Sequence, residues 1–203
     1  MIEKGNLENG MLSIHNLCRQ GTKVLGPGNR YVIWTQGCPF HCEGCITPES
    51  RPFTREKIVN VRDLAEDIIS HTNIDGITIS GGEPFLQAES LYKLLGIVLK
   101  KRSELTVISF TGYKIEELTW PDAQKLLKLI DLLIDGPYIS KLDDDMGIRG
   151  SSNQRFIYLT QRLVPFKEEI EFGKRKVEYH LTNGMVIAYG VPSSTMKQSI
   201  INK

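Results

Sequence analysis

The sequence predicts an α/β fold, and three observations carry that reading. Uncharged β-branched and aromatic runs alternate with stretches whose apolar residues recur at helical spacing, the pattern of parallel βαβ units. At 203 residues the chain falls short of the roughly 250 of a complete eight-unit barrel, which leaves a partial, laterally open (βα) barrel of parallel strands or a short open sheet. Beyond Gly150 the helical period fades, and the sequence predicts a C-terminal β-hairpin instead.

Residues 31–36, Tyr-Val-Ile-Trp-Thr-Gln, carry no charge and read as a buried strand that runs directly into Gly37-Cys38. From Val61, apolar residues return at Leu64, Ala65, Ile68 and Ile69, the stripe of an amphipathic helix. A strand is expected over 76–80. The stripe recurs at Leu91, Leu94, Leu95, Val98 and Leu99, followed by a strand over 106–110. A shorter helix is marked by Ala123, Leu126, Leu127 and Ile130, and a strand by 132–134. Residues 177–181 and 185–189 flank Asn183-Gly184, the signature of a type I′ hairpin. The whole, 1–203, is read as one domain with a core over about 11–160 and an extension over about 161–203.

Hydrophobic residues make up 40% of the chain, which argues against intrinsic disorder. Lys plus Arg number 25 against 24 Asp plus Glu, so no net field collects nucleic acid or anionic membrane. The basic runs Lys100-Lys101-Arg102 and Lys174-Arg175-Lys176 are read as solvated surface. No apolar run reaches the length of a membrane span, and the polar start, 1–10, lacks a signal-peptide core. The expected location is the cytoplasm.

Of 4 Cys, three fall on the loop Cys-Pro-Phe-His-Cys-Glu-Gly-Cys as Cys38, Cys42 and Cys45, spaced C-x3-C-x2-C. One short loop with three thiolates suits a compact metal cluster better than a disulfide framework. A cubane cluster held by three thiolates keeps one iron open, and an open position marks a site that binds substrate. The competing reading is structural zinc with Cys18, His15 or His41 as fourth ligand. Cys18 is otherwise read as a small buried hydrophobe and His41 as an exposed loop residue.

The second feature is Thr78-Ile79-Ser80-Gly81-Gly82-Glu83-Pro84, where a strand ends in two glycines and an acid before a helix-opening Pro. Alone it is an ordinary strand-to-helix turn. In a parallel sheet, however, it lies beside the cysteine loop at the same edge, and the two can share one ligand.

Together these motifs resemble the radical S-adenosylmethionine enzymes. Gly26-Pro27-Gly28-Asn29-Arg30 leading to Thr35-Gln36-Gly37-Cys38, with Asp135-Gly136-Pro137-Tyr138 and the segment 149–155, is similar to the activating enzymes of glycyl-radical proteins. The likeness covers about 11–160. It implies that Cys38, Cys42 and Cys45 hold a [4Fe-4S] cluster whose open iron binds S-adenosylmethionine, and that reductive cleavage yields a 5′-deoxyadenosyl radical. It implies that Gly81, Gly82 and Glu83 face the methionine amino group and that Gly44, Cys45 and Ile46 lie against adenine. Asp135, ending a strand, is read as a cofactor contact or as part of an Asp-Gly-Pro turn, and Ser109 and Thr111 as ribose contacts or strand-terminating residues. Arg30 and Arg149 are read as surface residues, with a contact to the partner or to the cofactor carboxylate as the second reading. No side chain is assigned a catalytic role beyond the cluster and cofactor. Gly82→Val is expected to block the cofactor while sparing the cluster.

Two positions depart from the family pattern: Gly44 stands where an aromatic residue often packs on adenine, and Ile46-Thr47-Pro48 replaces an Asn-containing segment. The implied function is hydrogen abstraction from a glycine of a partner enzyme, anaerobic ribonucleotide reductase, with a low-potential donor such as flavodoxin or ferredoxin. With only Cys18 left over, no auxiliary cluster can be built. The alternatives are a small-molecule radical enzyme such as 7-carboxy-7-deazaguanine synthase, and a non-catalytic iron–sulfur or zinc module.

Overall fold

The computed structural model describes residues 10–182, 184–193 and 196. The polar start over 1–9 and Asn183 of the expected hairpin turn lie outside the described residues, as do the last positions of the domain read over 1–203.

Strand β1 (Met11–Thr22) opens the fold and pairs antiparallel with β2 (Arg30–Thr35) and with the short β3 (Ile58–Asn60). Asn60 then caps helix α1 (Val61–Ser70), its side-chain oxygen accepting the Arg62 N–H at 2.8 Å. Strand β4 (Gly76–Gly81), helix α2 (Ala88–Lys101), strand β5 (Thr106–Phe110), helix α3 (Pro121–Leu127) and strand β6 (Leu132–Asp135) follow in alternation. Strands β2, β4, β5 and β6 are parallel neighbours, the arrangement that the alternating sequence pattern predicts. Strand β7 (Arg155–Tyr158) adds antiparallel to β6 and completes a seven-stranded sheet in the order β3-β1-β2-β4-β5-β6-β7. The chain ends with helix α4 (Lys167–Phe172) and a hairpin of β8 (Val177–Thr182) and β9 (Met185–Gly190).

The fold is thus mixed α/β, with a parallel centre, antiparallel flanks and the expected C-terminal hairpin. Alternate residues of the central strands divide the two faces. Tyr31, Ile33, Ile77, Ile79, Val107 and Leu133 pack under the buried stripes of the helices, with α2 in the middle. On the other face, Val32 packs with Leu25, Tyr189 and Val191, while Ile108, Leu132 and Ile134 pack with Leu163 and Ile170. The C-terminal extension therefore covers the sheet where the helices do not.

Between those two smaller clusters the sheet face is polar. Arg30 is fully buried there, not a surface residue as its sequence suggests. Its Nε donates to Thr78 Oγ1 at 2.7 Å, Nη1 to Thr106 Oγ1 at 2.9 Å and Nη2 to the Ile77 carbonyl at 2.8 Å. Arg175, in a run read as solvated, is buried as well and pairs with Asp143 at 2.6 Å. Arg149 is partly buried, paired with Asp144 at 2.6 Å and lying over the face of Phe156. Cys18 is the expected small buried hydrophobe, packed with Leu25 and Val32. Among the described residues no helix is long and apolar enough to cross a membrane.

Candidate functional site

All four parallel strands deliver their carboxyl ends to one cleft of about 930 Å³, its open mouth included. Cys38, Cys42 and Cys45 follow β2, Gly81 to Pro84 end β4, Thr111 and Gly112 follow β5, and Gly136 and Tyr138 follow β6. This is where parallel sheets collect ligands.

Backbone hydrogen bonds zip the cysteine loop to the glycine turn. The Gly82 N–H donates to the Thr35 carbonyl and the Glu83 N–H to the Gly37 carbonyl, both at 2.8 Å. The Gly37 and Cys38 N–H groups donate in turn to the carbonyls of Ser50 and Arg51, at 2.8 and 3.0 Å. The fit is close enough to require both glycines. A Cβ on Gly81, whose φ is +103°, would stand 2.4 Å from the Thr35 nitrogen, and one on Gly82 would stand 2.3 Å from the Gly37 oxygen. Gly82 therefore faces the cysteine loop itself, so Gly82→Val would disturb the cluster ligands rather than spare them.

Glu83 is 1% exposed and ties this turn to the next strand end. Its Oε1 accepts from the Phe85 N–H at 2.9 Å and from Thr111 Oγ1 at 2.8 Å, and its Oε2 from the Gly112 N–H at 2.8 Å. Burial pushes the carboxyl up to about 7 against the pull of those three donors. Thr111 is thereby committed to Glu83. Gly112 admits the ring of Phe40, which packs edge-on to Tyr113 at 4.9 Å.

The three thiols are half-buried, and burial pushes Cys38 up to about 11 and Cys42 upward, the latter opposed first by a hydrogen bond from the Tyr138 backbone and least by the charge of Arg51. A metal must displace those protons to bind. Among the described residues no three His, Cys, Asp or Glu side chains converge as a single metal ion requires. A cubane cluster takes each thiolate on a different iron, so its ligands surround it instead of meeting at a point. Three cysteines of one loop lining a glycine-walled cleft fit that demand. His15 and His41, weighed as further ligands, do not line the cleft.

Ile46, Gly81, Gly82 and Glu83 line the cleft as expected, while Gly44 sits beside it with φ +71°, its missing side chain 3.7 Å from the Tyr138 ring. Ser109 and Asp135 do not line it. Ser109 shares the helix-facing side of β5 with Val107 and is fully buried. Asp135 is buried too, accepting the Ile115 N–H at 2.7 Å and pairing with Arg155 at 2.5 Å. Arg51, Phe40, Tyr138 and Gln154 also line the cleft, outside the residues that the sequence motifs single out for the site. Gln154 holds the wall by accepting from the Gly150 N–H at 2.7 Å and donating to the Gly136 carbonyl at 2.9 Å. Tyr138 and Gln154 lie in segments that carry the family likeness, which was their available signal.

A family model described as 4Fe-4S single cluster domain matches residues 24–157. An anaerobic ribonucleoside-triphosphate reductase-activating protein of Enterobacteria phage T4 is 34% identical over 137 residues, covering 65% of this chain and 85% of that protein. The protein of the same description from Escherichia coli K12 is 35% identical over 144 residues, covering 64% and 89%. A pyruvate formate-lyase-activating enzyme of Staphylococcus aureus is 29% identical over 170 residues, covering 77% of this chain and 65% of that enzyme. The crystal structure of QueE from Escherichia coli aligns with a TM-score of 0.44 at 13% identity, over 64% of this chain and 73% of that one.

Proposed function

Because the chain belongs to the 4Fe-4S single cluster domain family and is akin to the activating proteins of glycyl-radical enzymes, we propose that it installs a glycyl radical on anaerobic ribonucleotide reductase. The observation that carries this reading is the convergence of the three-cysteine loop and the Gly-Gly-Glu turn on one cleft at the ends of four parallel strands. When bound there, a [4Fe-4S] cluster and S-adenosylmethionine supply a 5′-deoxyadenosyl radical that takes hydrogen from the partner's glycine.

This chain's own residues bind and orient. Cys38, Cys42 and Cys45 hold the cluster. The turn of Gly81, Gly82 and Glu83 presents backbone groups to the methionine portion, and Glu83, saturated by three donors, keeps that turn in place. Gly44, Cys45 and Ile46 border adenine, with the Tyr138 ring beside Gly44 offering the aromatic surface that Gly44 lacks. Of the two ribose candidates, Thr111 lines the cleft and Ser109 does not, and at the end of β6 Gly136 lines it in place of Asp135. The sheet reads as a partial barrel whose open side admits a protein segment, supported by its two outer strands, β3 and β7, each paired on one side only. Reduction of the cluster calls for a flavodoxin or ferredoxin, and a cytoplasmic location agrees with such partners.

A small heterocyclic substrate would need acids or bases of its own, and Glu83, the one carboxylate among the described lining residues, is already fully engaged. The test is low-temperature EPR of the anaerobically reconstituted, reduced protein. A [4Fe-4S]⁺ signal that changes with S-adenosylmethionine, followed by a glycine-centred doublet on adding the reductase, is the expected result. A cluster indifferent to the cofactor, or a turnover product with no protein radical, overturns the reading.

A further inference from the structure

Arg51 is the only cation among the described residues that line the cleft. The other arginines that the sequence or structure brings to notice are committed elsewhere. Arg30 is saturated by hydroxyl and carbonyl oxygens, Arg149 is held by Asp144, Arg155 by Asp135 and Glu116, and Arg175 by Asp143. Among the described residues the Arg51 guanidinium has no hydrogen-bond or ion-pair partner, and its Nε is shielded from solvent with no acceptor. Such a buried donor is costly unless a partner satisfies it. The residue is nonetheless fixed in place. Its carbonyl accepts the Cys38 N–H at 3.0 Å and its own N–H donates to the Pro48 carbonyl at 3.1 Å, so its backbone is stitched to the first cluster cysteine.

A guanidinium waiting in a cleft beside thiols and a glycine turn calls for a planar, two-oxygen anion, the group its fork of donors matches. We propose that Arg51 binds the carboxylate of S-adenosylmethionine and so orients the methionine portion between the cysteine loop and the Gly81–Gly82 turn. This rests on the activase reading above. It gives a cationic role to a residue with no cysteine-motif signature, and it takes the carboxylate contact away from Arg30, whose donors face other acceptors, and from Arg149, which pairs with Asp144; neither lines the cleft.

The experiment compares equilibrium binding of S-adenosylmethionine and of its decarboxylated analogue to the cluster-loaded protein, by calorimetry, for wild type, Arg51→Gln and Arg51→Lys. Arg51→Gln should weaken S-adenosylmethionine binding roughly ten- to hundredfold, the range of a charge-assisted hydrogen bond, and leave binding of the decarboxylated analogue unchanged. Arg51→Lys, which keeps the charge without the fork, should recover part of the loss. Iron content per chain is measured for each variant and binding is expressed per cluster, because the Arg51 charge also acts on the Cys42 thiol; the decarboxylated analogue then separates loss of the carboxylate contact from any loss of cluster. Equal losses for both ligands, or no loss for either, overturn the assignment while leaving the activase reading intact. Failure of the wild-type protein to bind S-adenosylmethionine removes the reading and the assignment together.

Discussion

Glu83 and Arg30 are both buried charges, and both hold strand ends or strands together through neutral partners. For Glu83, burial raises the folded-state carboxyl from 4.5 to about 7. Between those values the folded state holds a proton that the unfolded state has released. Its contribution to stability is therefore complete below pH 4.5 and declines as pH rises to 7, by about 3 kcal/mol across the window. Glu83→Gln removes that titration, so the gap between wild type and variant in urea midpoint should shift steadily between pH 4.5 and 7 and stay constant above it. A gap independent of pH would contradict the raised carboxyl. Arg30→Leu should cost about 3–5 kcal/mol, since it strands Thr78, Thr106 and the Ile77 carbonyl in a dry layer; urea denaturation measures it, with little recovery by Arg30→Lys. The three cysteines and the glycine turn were legible because their chemistry is local to a few residues. Arg30 was not, because its acceptors lie 48 and 76 positions away and only the strand pairing brings them near.

The same division holds for elements. The parallel strands and the helices that link them were readable because each is uniformly buried or cleanly striped, as in α1, where Val61, Leu64, Ala65 and Ile68 are the buried residues. Strand β1 escaped notice because its register shifts between Ile14 and Asn16 and between Cys18 and Thr22, which breaks the period of two, and Arg19 and Gln20 lie exposed within it. Strand β3 is only three residues long, and β7, with Arg155 exposed and the rest half-buried, shows neither the uniform burial of β6 nor an alternation. Gly82→Ala puts a Cβ against the Gly37 carbonyl and should lower iron retained per chain as well as cofactor binding. Gly96, exposed within α2 and with nothing within 4 Å of its would-be Cβ, is the contrast: Gly96→Ala should stabilise by about 1 kcal/mol and leave iron content alone. Loss of iron in both variants would mean that the cleft does not owe its shape to the close approach at Gly82.

At the scale of the whole molecule, the C-terminal extension is a wall of the site. Gly190 and Val191, where β9 leaves the hairpin, line the cleft together with Gly150 and Gln154. Arg175 fastens these parts to one another. Its side chain, 2% exposed, pairs with Asp143 at 2.6 Å and donates to the Arg149 carbonyl at 2.8 Å and the Gly150 carbonyl at 3.2 Å. Asp143 is itself 7% exposed at the side chain, so removing Arg175 takes the cation from a buried carboxylate and leaves it hydrogen bonds from the Asp145 N–H and the Tyr138 hydroxyl. Arg175→Met should therefore destabilise the protein by about 3–5 kcal/mol, whereas combining it with Asp143→Leu should restore much of the loss, because a buried ion pair exceeds an apolar pair of similar size by little. Chemical denaturation of the two variants measures this. Iron content supplies the second readout: if Arg175 holds the cleft wall, the single variant should load cluster poorly and the double variant better. A single variant as stable as wild type would mean that the extension is held by its other contacts, the apolar ones to Val32 and Ile108 and the Glu178 hydrogen bonds to Thr22 and Lys23.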